Sequence, residues 1–260
     1  NCRYLIKKKK KKTLEADILI GADGPDSKVR TFLQQQCQQK TISYPSYYYG
    51  YQYRVDISKS GGFINNKLVQ VHFHPDLPFF FWVIPESKQI IRLGIIGEQV
   101  KKKLQQFMSE KNICGEIIDT IAGKIPIGHI STVAKDIALV GDAACQIKPL
   151  TGGGIFYGLQ SAEILVDCIV NQTISQYDLK WKQKIGKEIR FGLKARKIYE
   201  SLGPLKREKI FDLFQKNADM IEELGDFEKH YFLLRALAKK PCLVWDFGKI
   251  IGYSLRHLLK

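Results

Sequence analysis

The sequence GDAACQIKPLTGGGIFYG, residues 141–158, decides the fold of this chain. It follows an apolar run at 137–140 that is typical of a buried strand, and it puts Asp142 at the carboxyl end of that strand, where α/β proteins place ligand-binding groups. Three glycines at 152–154 then precede a helical pattern over about 153–170. Because glycine has no Cβ, backbone N–H groups can approach a ligand closely there.

This turn has the features of an anion-binding site. The N-terminus of a helix stabilises a nearby negative charge by about 1 kcal/mol, and the Asp142 carboxylate can accept hydrogen bonds from sugar hydroxyls. A reduced flavin carries negative charge at one edge of its ring, so the stretch predicts a flavin site. An ordinary glycine-rich turn between a strand and a helix is the alternative interpretation.

A second strand followed by an aspartate lies near the start of the chain. The sequence ADILIGADGPDSKVR, residues 16–30, is an apolar strand that ends at Asp23 and Gly24, followed by a polar turn and a helix start. The two stretches together resemble the paired aspartate motifs of the flavoprotein hydroxylase superfamily. That resemblance implies that Asp23 lies near the pyrophosphate of the cofactor and that Asp142 contacts its ribityl chain. Arg30 resembles the arginine that closes the first motif, or else is a solvated residue of the first helical turn.

Within that superfamily, the sequence PLTGGGI at 149–155 is most similar to geranylgeranyl reductases, including archaeal enzymes that saturate digeranylgeranyl glycerolipids. The sequence FFWVIP at 80–85, followed by GIIG at 94–97, resembles the Tyr-x-Trp-x-Phe-Pro signature of their substrate-binding sheet. Phe80 stands in place of the tyrosine, which removes a hydroxyl group but keeps the apolar character of the site.

The resemblance implies FAD as the cofactor, and it implies a set of residues for each site. The cofactor-binding residues would be Asp23, Gly24, Arg30, Gly141, Asp142, Ala143, Pro149, Gly152, Gly153, Gly154 and Ile155. The substrate-binding residues would be Phe80, Trp82 and Pro85. Cys145 stands beside the second motif and is either a proton donor or a small side chain that fits a tight turn.

The predicted fold class is α/β, with an FAD-binding Rossmann-like domain, an inserted antiparallel sheet and a C-terminal helical region. We expect a partial FAD-binding domain at 1–43, a substrate-binding sheet at 44–125, a return segment of the FAD-binding domain at 126–172 and helices at 173–260. The superfamily begins with a Gly-x-Gly-x-x-Gly unit that binds the ADP half of FAD, and no such spacing occurs here. We therefore expect an N-terminal segment of on the order of 100 residues to be missing.

The middle of the chain alternates in polarity with a period of two, which predicts half-buried strands. Tyr51, Tyr53 and Val55 alternate with polar neighbours, as do Val69, Val71 and Phe73. An aromatic inner face of this sheet would suit an isoprenoid chain, although core packing explains the same composition. His72 and His74 lack a metal-ligating partner at usable spacing, so we expect surface residues and no metal site.

The charge of the chain favours anionic partners. Lys and Arg number 41 against 26 Asp and Glu, a formal net charge of +15. The basic run at 7–12 lies just before the Asp23 strand, where the resemblance implies a surface hairpin, so we expect a solvated turn there. No nucleic-acid-binding motif accompanies it. Amphipathic patterns after 172 predict helices, of which 245–260 would pack on the protein or lie on a membrane surface. Without a signal peptide or an apolar run of about 20 residues, a cytoplasmic protein that touches the membrane surface is expected.

The reductase resemblance implies that reduced FAD delivers a hydride to an isolated alkene of an isoprenoid lipid, with an external electron donor such as NAD(P)H or ferredoxin. The proton donor cannot be identified from the sequence. Two alternatives stay open. A flavin monooxygenase would share both aspartate motifs, and a non-catalytic lipid-binding fragment would lack flavin altogether.

Overall fold

The computed structural model describes residues 2–7, 11–36, 45–59, 67–226, 228–230 and 239–252. The chain forms two compact units, one made of Asn1–Ser46 with Pro126–Phe191 and the other of Tyr47–Ile125 with Gly192–Lys260. Helices and both parallel and antiparallel strands are present, so the predicted α/β class is confirmed. The predicted division into four segments stays a prediction.

The elements follow in chain order. The strands are β1 (Cys2–Lys7), β2 (Lys11–Ala16), β3 (Leu19–Gly21), β4 (Ser46–Asp56), β5 (Gln70–Phe73), β6 (Phe80–Pro85), β7 (Ile90–Gly97), β8 (Glu116–Ile127), β9 (Val133–Ala134) and β10 (Ile137–Leu139). The helices are α1 (Lys28–Gln36), α2 (Val100–Glu110), α3 (Ile155–Val170), α4 (Tyr177–Lys184), α5 (Gly186–Ser201), α6 (Pro204–Gln215), α7 (Ala218–Leu224) and α8 (Pro241–Ile251).

The first unit holds a hairpin and a small sheet. Strands β1 and β2 pair antiparallel, which agrees with the predicted hairpin, and its tip at 8–10 lies outside the described residues. Strand β10 pairs parallel with β3 and antiparallel with β9. Helix α1 packs on this sheet through Leu33, which shares a buried cluster with Ile137 and Leu139. Burial of these apolar side chains holds the helix against the strands, at about 25 cal/mol per Å² of apolar area.

The second unit is built on a five-stranded sheet in the order β5-β6-β7-β4-β8. One face of the sheet packs against α2, whose Leu104 and Phe107 are buried among sheet residues that include Tyr53, Phe81 and Leu93. The rings of Phe81 and Phe107 stack with centroids 4.2 Å apart. The core of this unit therefore lies between the sheet and α2.

The alternating residues of the two strands do not share a face of the sheet, because the apolar residues of β4 and β5 lie on opposite faces. Tyr53 and Val55 point to the α2 side, whereas Val71 pairs with Trp82 and Phe73 with Phe80 on the other face. Val71 and Phe73 are exposed. A period of two shows that residues alternate, but only strand pairing shows which face is covered.

The prediction that both histidines are surface residues holds only in part for His72, which is half-buried. Its register opposite Phe81 turns it to the α2 side, where its ring lies 5.1 Å from that of Phe107. Burial, and then the charge of Lys111, lower the pKa of His72. His74 is exposed, as expected. Among the described residues, no group of three or more His, Cys, Asp or Glu is arranged to hold a metal ion.

The C-terminal helices α6, α7 and α8 agree with the predicted helical pattern. Ile210 of α6 and both Leu243 and Ile251 of α8 are buried, whereas Trp245 is 69% exposed. The remainder of the predicted amphipathic segment, 253–260, lies outside the described residues. Within the part of the chain that the structure describes, no helix is both long and apolar enough to cross a bilayer.

Candidate functional site

The two aspartate motifs begin at the same edge of the same sheet. In the parallel register of β3 and β10, Leu139 lies opposite Gly21, and the backbone N–H of Val140 donates to the Gly21 carbonyl over 3.0 Å. Asp23 and Asp142 follow directly after these strand ends. The carboxyl ends of parallel strands are the usual position of ligands in α/β sheets, so the sheet brings together the two motifs that the sequence predicted.

The carboxylate of Asp23 caps helix α1. It accepts hydrogen bonds from the Ser27 hydroxyl at 2.5 Å, the Lys28 N–H at 2.8 Å and the Val29 N–H at 3.3 Å. Partial burial alone would raise the pKa of Asp23, but these hydrogen bonds outweigh it and hold the pKa below its usual value. Asp23 therefore stays ionised and fixes the turn between β3 and α1.

Arg30 is buried and joins the two motifs. Its guanidinium donates to the backbone carbonyls of Asp142 at 3.4 Å and Ala143 at 3.1 Å, and to that of Pro25. Only 4% of the residue is exposed, so the alternative of a solvated arginine is wrong. The sequence contains no signal of this burial, since the carbonyls of Asp142 and Ala143 lie 112 and 113 residues from Arg30 along the chain.

Asp142 lies in a short 3₁₀ turn, Gly141–Ala144, which the sequence did not predict. The residue is half-buried, and its carboxylate accepts no hydrogen bond from the described part of the chain. Burial raises its pKa. A carboxylate that is partly desolvated and lacks a partner is costly, and a ligand hydroxyl would supply the missing hydrogen bond.

The glycines form a cradle beside this carboxylate. Helix α3 begins at Ile155, two residues later than predicted, and its first hydrogen bond runs from the Gly158 N–H to the Gly154 carbonyl over 2.8 Å. A Cβ on Gly154 would lie 3.1 Å from Asp142 Oδ1, so glycine lets the carboxylate approach the helix start. Pro149 is in the turn before the helix, not at its first position.

The same turn carries a buried hydroxyl oxygen. The Oγ1 atom of Thr151 is buried and has no hydrogen-bond partner among the described residues. Gly152 has a φ of +76°, which glycine adopts without strain. An orphaned oxygen, a carboxylate without a partner and a helix start thus lie in one segment. These residues fit a ligand that has sugar hydroxyls and an anionic part, as FAD does.

Cys145 is enclosed in the protein. It is 1% exposed and has a φ of +56°, and burial raises the pKa of its thiol to about 12 despite the nearby Arg30 guanidinium. A thiol in this state does not release its proton at neutral pH. The geometry favours the interpretation of a small side chain in a tight turn over that of a proton donor.

The sequence analysis missed three buried polar residues at this site, namely Gln146, Lys148 and Tyr177. Lys148 is 4% exposed, and a Cβ on Gly153 would lie 3.0 Å from its Cε and 3.5 Å from its Nζ. The Lys148 side chain thus packs directly against the backbone of Gly153. Lys148 stands next to Pro149 in the motif, but polar residues within a turn are normally exposed, so the sequence provided no signal of burial.

The predicted substrate residues lie on β6 in the second unit. The Trp82 indole packs against Gly94 of the neighbouring strand, where a Cβ would be 2.1 Å from Cζ2. Its Nε1 donates to Gln52 Oε1 over 2.9 Å. Phe80 contacts Trp82 edge-on at 6.4 Å between ring centroids. Phe80, Trp82 and Pro85 are all half-buried. The face opposite α2 therefore carries a fixed aromatic pair.

Comparisons with known proteins agree with this architecture. No protein-family model matches the chain. A digeranylgeranylglycerophospholipid reductase of Methanothrix thermoacetophila is 25% identical over 266 residues, which cover 95% of this chain and 63% of that protein. An uncharacterized protein of Methanocaldococcus jannaschii is 36% identical over 198 residues, 70% of this chain and 50% of that protein. The chain thus spans between half and two-thirds of the length of these relatives.

Solved structures show the same fold. A geranylgeranyl bacteriochlorophyll reductase-like protein from Thermoplasma acidophilum has a TM-score of 0.68 at 19% identity, with 93% of this chain and 64% of that chain covered. The flavin-dependent halogenase CmlS has a TM-score of 0.56 at 15% identity, with 86% and 48% covered.

The fold is that of these two solved structures, one of which is a flavin-dependent halogenase, and it is of the FAD-binding Rossmann-like type. In sequence, the chain is similar to archaeal proteins named digeranylgeranylglycerophospholipid reductases, at 25–29% identity over 94–95% of its length. The family predicted from the glycine and aspartate motifs is confirmed.

Proposed function

We propose that this chain is part of an FAD-dependent reductase that saturates carbon–carbon double bonds in the geranylgeranyl chains of membrane lipids. The observation that carries the proposal is the half-buried Asp142 carboxylate, which has no partner among the described residues and faces the glycine start of α3. Such an arrangement is stable in a complex with a polyhydroxylated, anionic cofactor.

Each residue of the flavin site has a role in this proposal. Asp142 would accept hydrogen bonds from the ribityl hydroxyls, and the backbone amides of Ile155 and its neighbours would stabilise the anionic edge of the ring. Asp23 and Arg30 hold the two turns in place, with Gly24, Gly141, Ala143 and Pro149 forming their backbone. Lys148 adds a positive charge beneath the turn. When bound, FAD supplies the hydride for the alkene.

An isoprenoid chain would bind to the sheet face that carries Trp82. Phe80 and Trp82 offer apolar surface, and the Gln52 side chain holds the indole in one orientation. Pro85 ends the strand that carries them. An isolated alkene has no activating group, so its position relative to the cofactor would determine the rate, and a fixed aromatic surface would provide that alignment.

The proposal includes partners beyond the chain. An external donor such as NAD(P)H or ferredoxin would supply the electrons, and a peripheral contact with the cytoplasmic membrane surface would give access to the lipid. The formal charge of +15 favours contact with anionic headgroups. Trp245, exposed on α8, is an apolar side chain suited to such a surface.

The test uses the full-length gene product. We would record its visible spectrum, reduce it with dithionite under anaerobic conditions, and measure reoxidation on addition of a geranylgeranyl lipid. Flavin absorbance with reoxidation that depends on the alkene would support the proposal. Flavin that is reoxidised only by oxygen would favour a monooxygenase, and a folded protein without flavin would favour a lipid-binding fragment.

A matched pair of variants tests the cofactor site. Asp142→Ala removes the carboxylate that faces the glycines, and we expect flavin affinity to fall by about tenfold or more because a hydrogen bond to a charged group is worth about 1.5–3 kcal/mol. Asp167→Ala removes an exposed carboxylate on α3 and serves as the control. Equal flavin affinity in the two variants would contradict the assignment of Asp142.

A further inference from the structure

A buried chain of hydrogen bonds connects α4 to the turn that carries Asp142. The Gly141 N–H donates to Gln146 Oε1 over 2.8 Å, Gln146 Nε2 donates to Tyr177 Oη over 2.9 Å, and Tyr177 Oη donates to the Leu139 carbonyl over 3.0 Å. The two ends of this chain of bonds, Gly141 and Leu139, both precede Asp142 along the backbone, Gly141 directly and Leu139 by three positions.

The two side chains in this chain are completely buried. Gln146 and Tyr177 each have 0% exposure, and burial raises the pKa of the Tyr177 phenol so that it stays a donor. Only one orientation of the Gln146 amide satisfies both neighbours, since Oε1 must accept from Gly141 and Nε2 must donate to Tyr177. A buried network of this kind holds a single geometry, because each lost bond leaves a costly unpaired group.

The backbone of the turn needs such support. Gly141 has a φ of +66°, and the Gln146 N–H also donates to its carbonyl over 3.1 Å. Gln146 therefore binds both polar groups of Gly141, one through its side chain and one through its backbone. Arg30 holds the carbonyls of the following two residues from another direction. The position of the Asp142 carboxylate is thus set by side chains that do not touch it.

We propose that Tyr177 and Gln146 are positioning residues of the flavin site, which act by fixing the turn on which Asp142 meets the cofactor. This inference rests on the proposed function and adds to it a determinant in α4, away from the motifs. Tyr177 makes no contact of its own with Asp142 in the described structure. Its effect on the cofactor passes through Gln146 and Gly141.

The experiment compares two variants that each remove one buried hydroxyl. The first hydroxyl belongs to Tyr177 of α4, and the second belongs to Thr132, which is hydrogen-bonded to α4. Tyr177→Phe breaks the chain to Gln146. Thr132→Val is the control, because Thr132 is equally buried and its Oγ1 bonds Asp178 and Trp181 of the same helix without reaching the Asp142 turn. Both changes are expected to lower stability by about 1–3 kcal/mol, since each leaves buried partners unsatisfied.

Two measurements separate positioning from stability. We expect Tyr177→Phe to speed hydrogen exchange at the Gly141 amide, measured by NMR on the folded protein without flavin, and to weaken FAD binding by about fivefold or more. Thr132→Val should leave both quantities near the wild-type values. Gln146→Met should reproduce the effect of Tyr177→Phe, and the double variant should add little to either, because both break one network.

The outcomes distinguish this inference from the proposed function. If the wild-type protein binds no FAD, the proposed function fails, while faster exchange at Gly141 in Tyr177→Phe alone would still support the network. If the wild-type protein binds FAD and Tyr177→Phe matches Thr132→Val in both affinity and Gly141 exchange, the positioning role is overturned although the function stands.

Discussion

The Nη1 atom of Arg30 donates to the backbone carbonyl of Ala143 over 3.1 Å and thereby connects the first aspartate motif to the second. The guanidinium is almost fully buried, and it also donates to the backbone carbonyls of Asp142 and Pro25. Its positive charge therefore lies beside the turn that carries the Asp142 carboxylate. The arginine acts as a structural link between two halves of the candidate flavin site.

Arg30→Met should destabilise the protein by about 3–5 kcal/mol, because it leaves several buried carbonyl groups without their charged donor. It should also lower flavin affinity, since the Ala143 turn loses its support. Chemical denaturation and flavin titration measure the two effects. Lys28→Met, on the exposed side of the same helix, is the control, and an equal loss in both variants would argue against the link.

Asp142→Asn should stabilise the protein without flavin at neutral pH and weaken flavin binding. Burial raises the pKa of Asp142, so the folded state disfavours its charged form. The charged carboxylate therefore lowers the free energy of unfolding. This loss is absent below the ordinary pKa of an aspartate and grows as the pH rises from that value through the raised pKa. The stability gain should therefore disappear in acid, as measured by urea denaturation across pH. A gain that does not depend on pH would contradict the burial of charge as its cause.

Gly94→Ala should displace the Trp82 indole, because the new Cβ would lie 2.1 Å from Cζ2. We expect a stability loss of about 1–3 kcal/mol from this overpacking, and a shift of the Trp82 indole N–H signal in NMR as the bond to Gln52 breaks. Gly50→Ala in the adjacent strand is the control, since its Cβ would meet Ile125 at an ordinary 3.5 Å. An unshifted indole signal in Gly94→Ala would show that the sheet accommodates the methyl group.

Tyr48→Phe should remove part of the alkaline sensitivity of the fold. The Tyr48 hydroxyl donates to Glu200 Oε1 over 2.6 Å, and burial together with that carboxylate raises the pKa of Tyr48 to about 12. The folded state therefore loses stability as the pH rises from about 10, where an unfolded tyrosine ionises, through the raised pKa. The variant should be about 1 kcal/mol less stable at neutral pH and lose less above pH 10.

The exposed neighbour Tyr49 is the control for this prediction, because it lies one residue away on the same strand. Tyr49→Phe removes an exposed tyrosine hydroxyl from the same strand and gives the matched comparison for the pH slope of the Tyr48→Phe variant. If Tyr48→Phe keeps the wild-type slope above pH 10, another group causes the alkaline loss.

Local sequence was sufficient to predict the strands and helices around the candidate flavin site. The apolar run before Asp142 and the glycines before α3 produce the strand and the helix at nearly the predicted positions, because their apolar spacing and lack of side chains act over a few residues. The face of the five-stranded sheet on which each residue lies was harder to predict. Val71 and Phe73 lie on the face of the sheet away from Tyr53. Strand pairing, which depends on distant residues, decides which of the two faces α2 covers.

The sequence by itself determined the family, the α/β class and the two aspartates at strand ends, since these depend on short motifs and on hydrophobic periodicity. Only the tertiary structure decided which polar residues hold the site together. Arg30 and Tyr177 are buried against the turn around Asp142 by contacts between residues far apart in the chain. Burial and hydrogen-bond partners of this kind arise from packing, and no local pattern of residues specifies them.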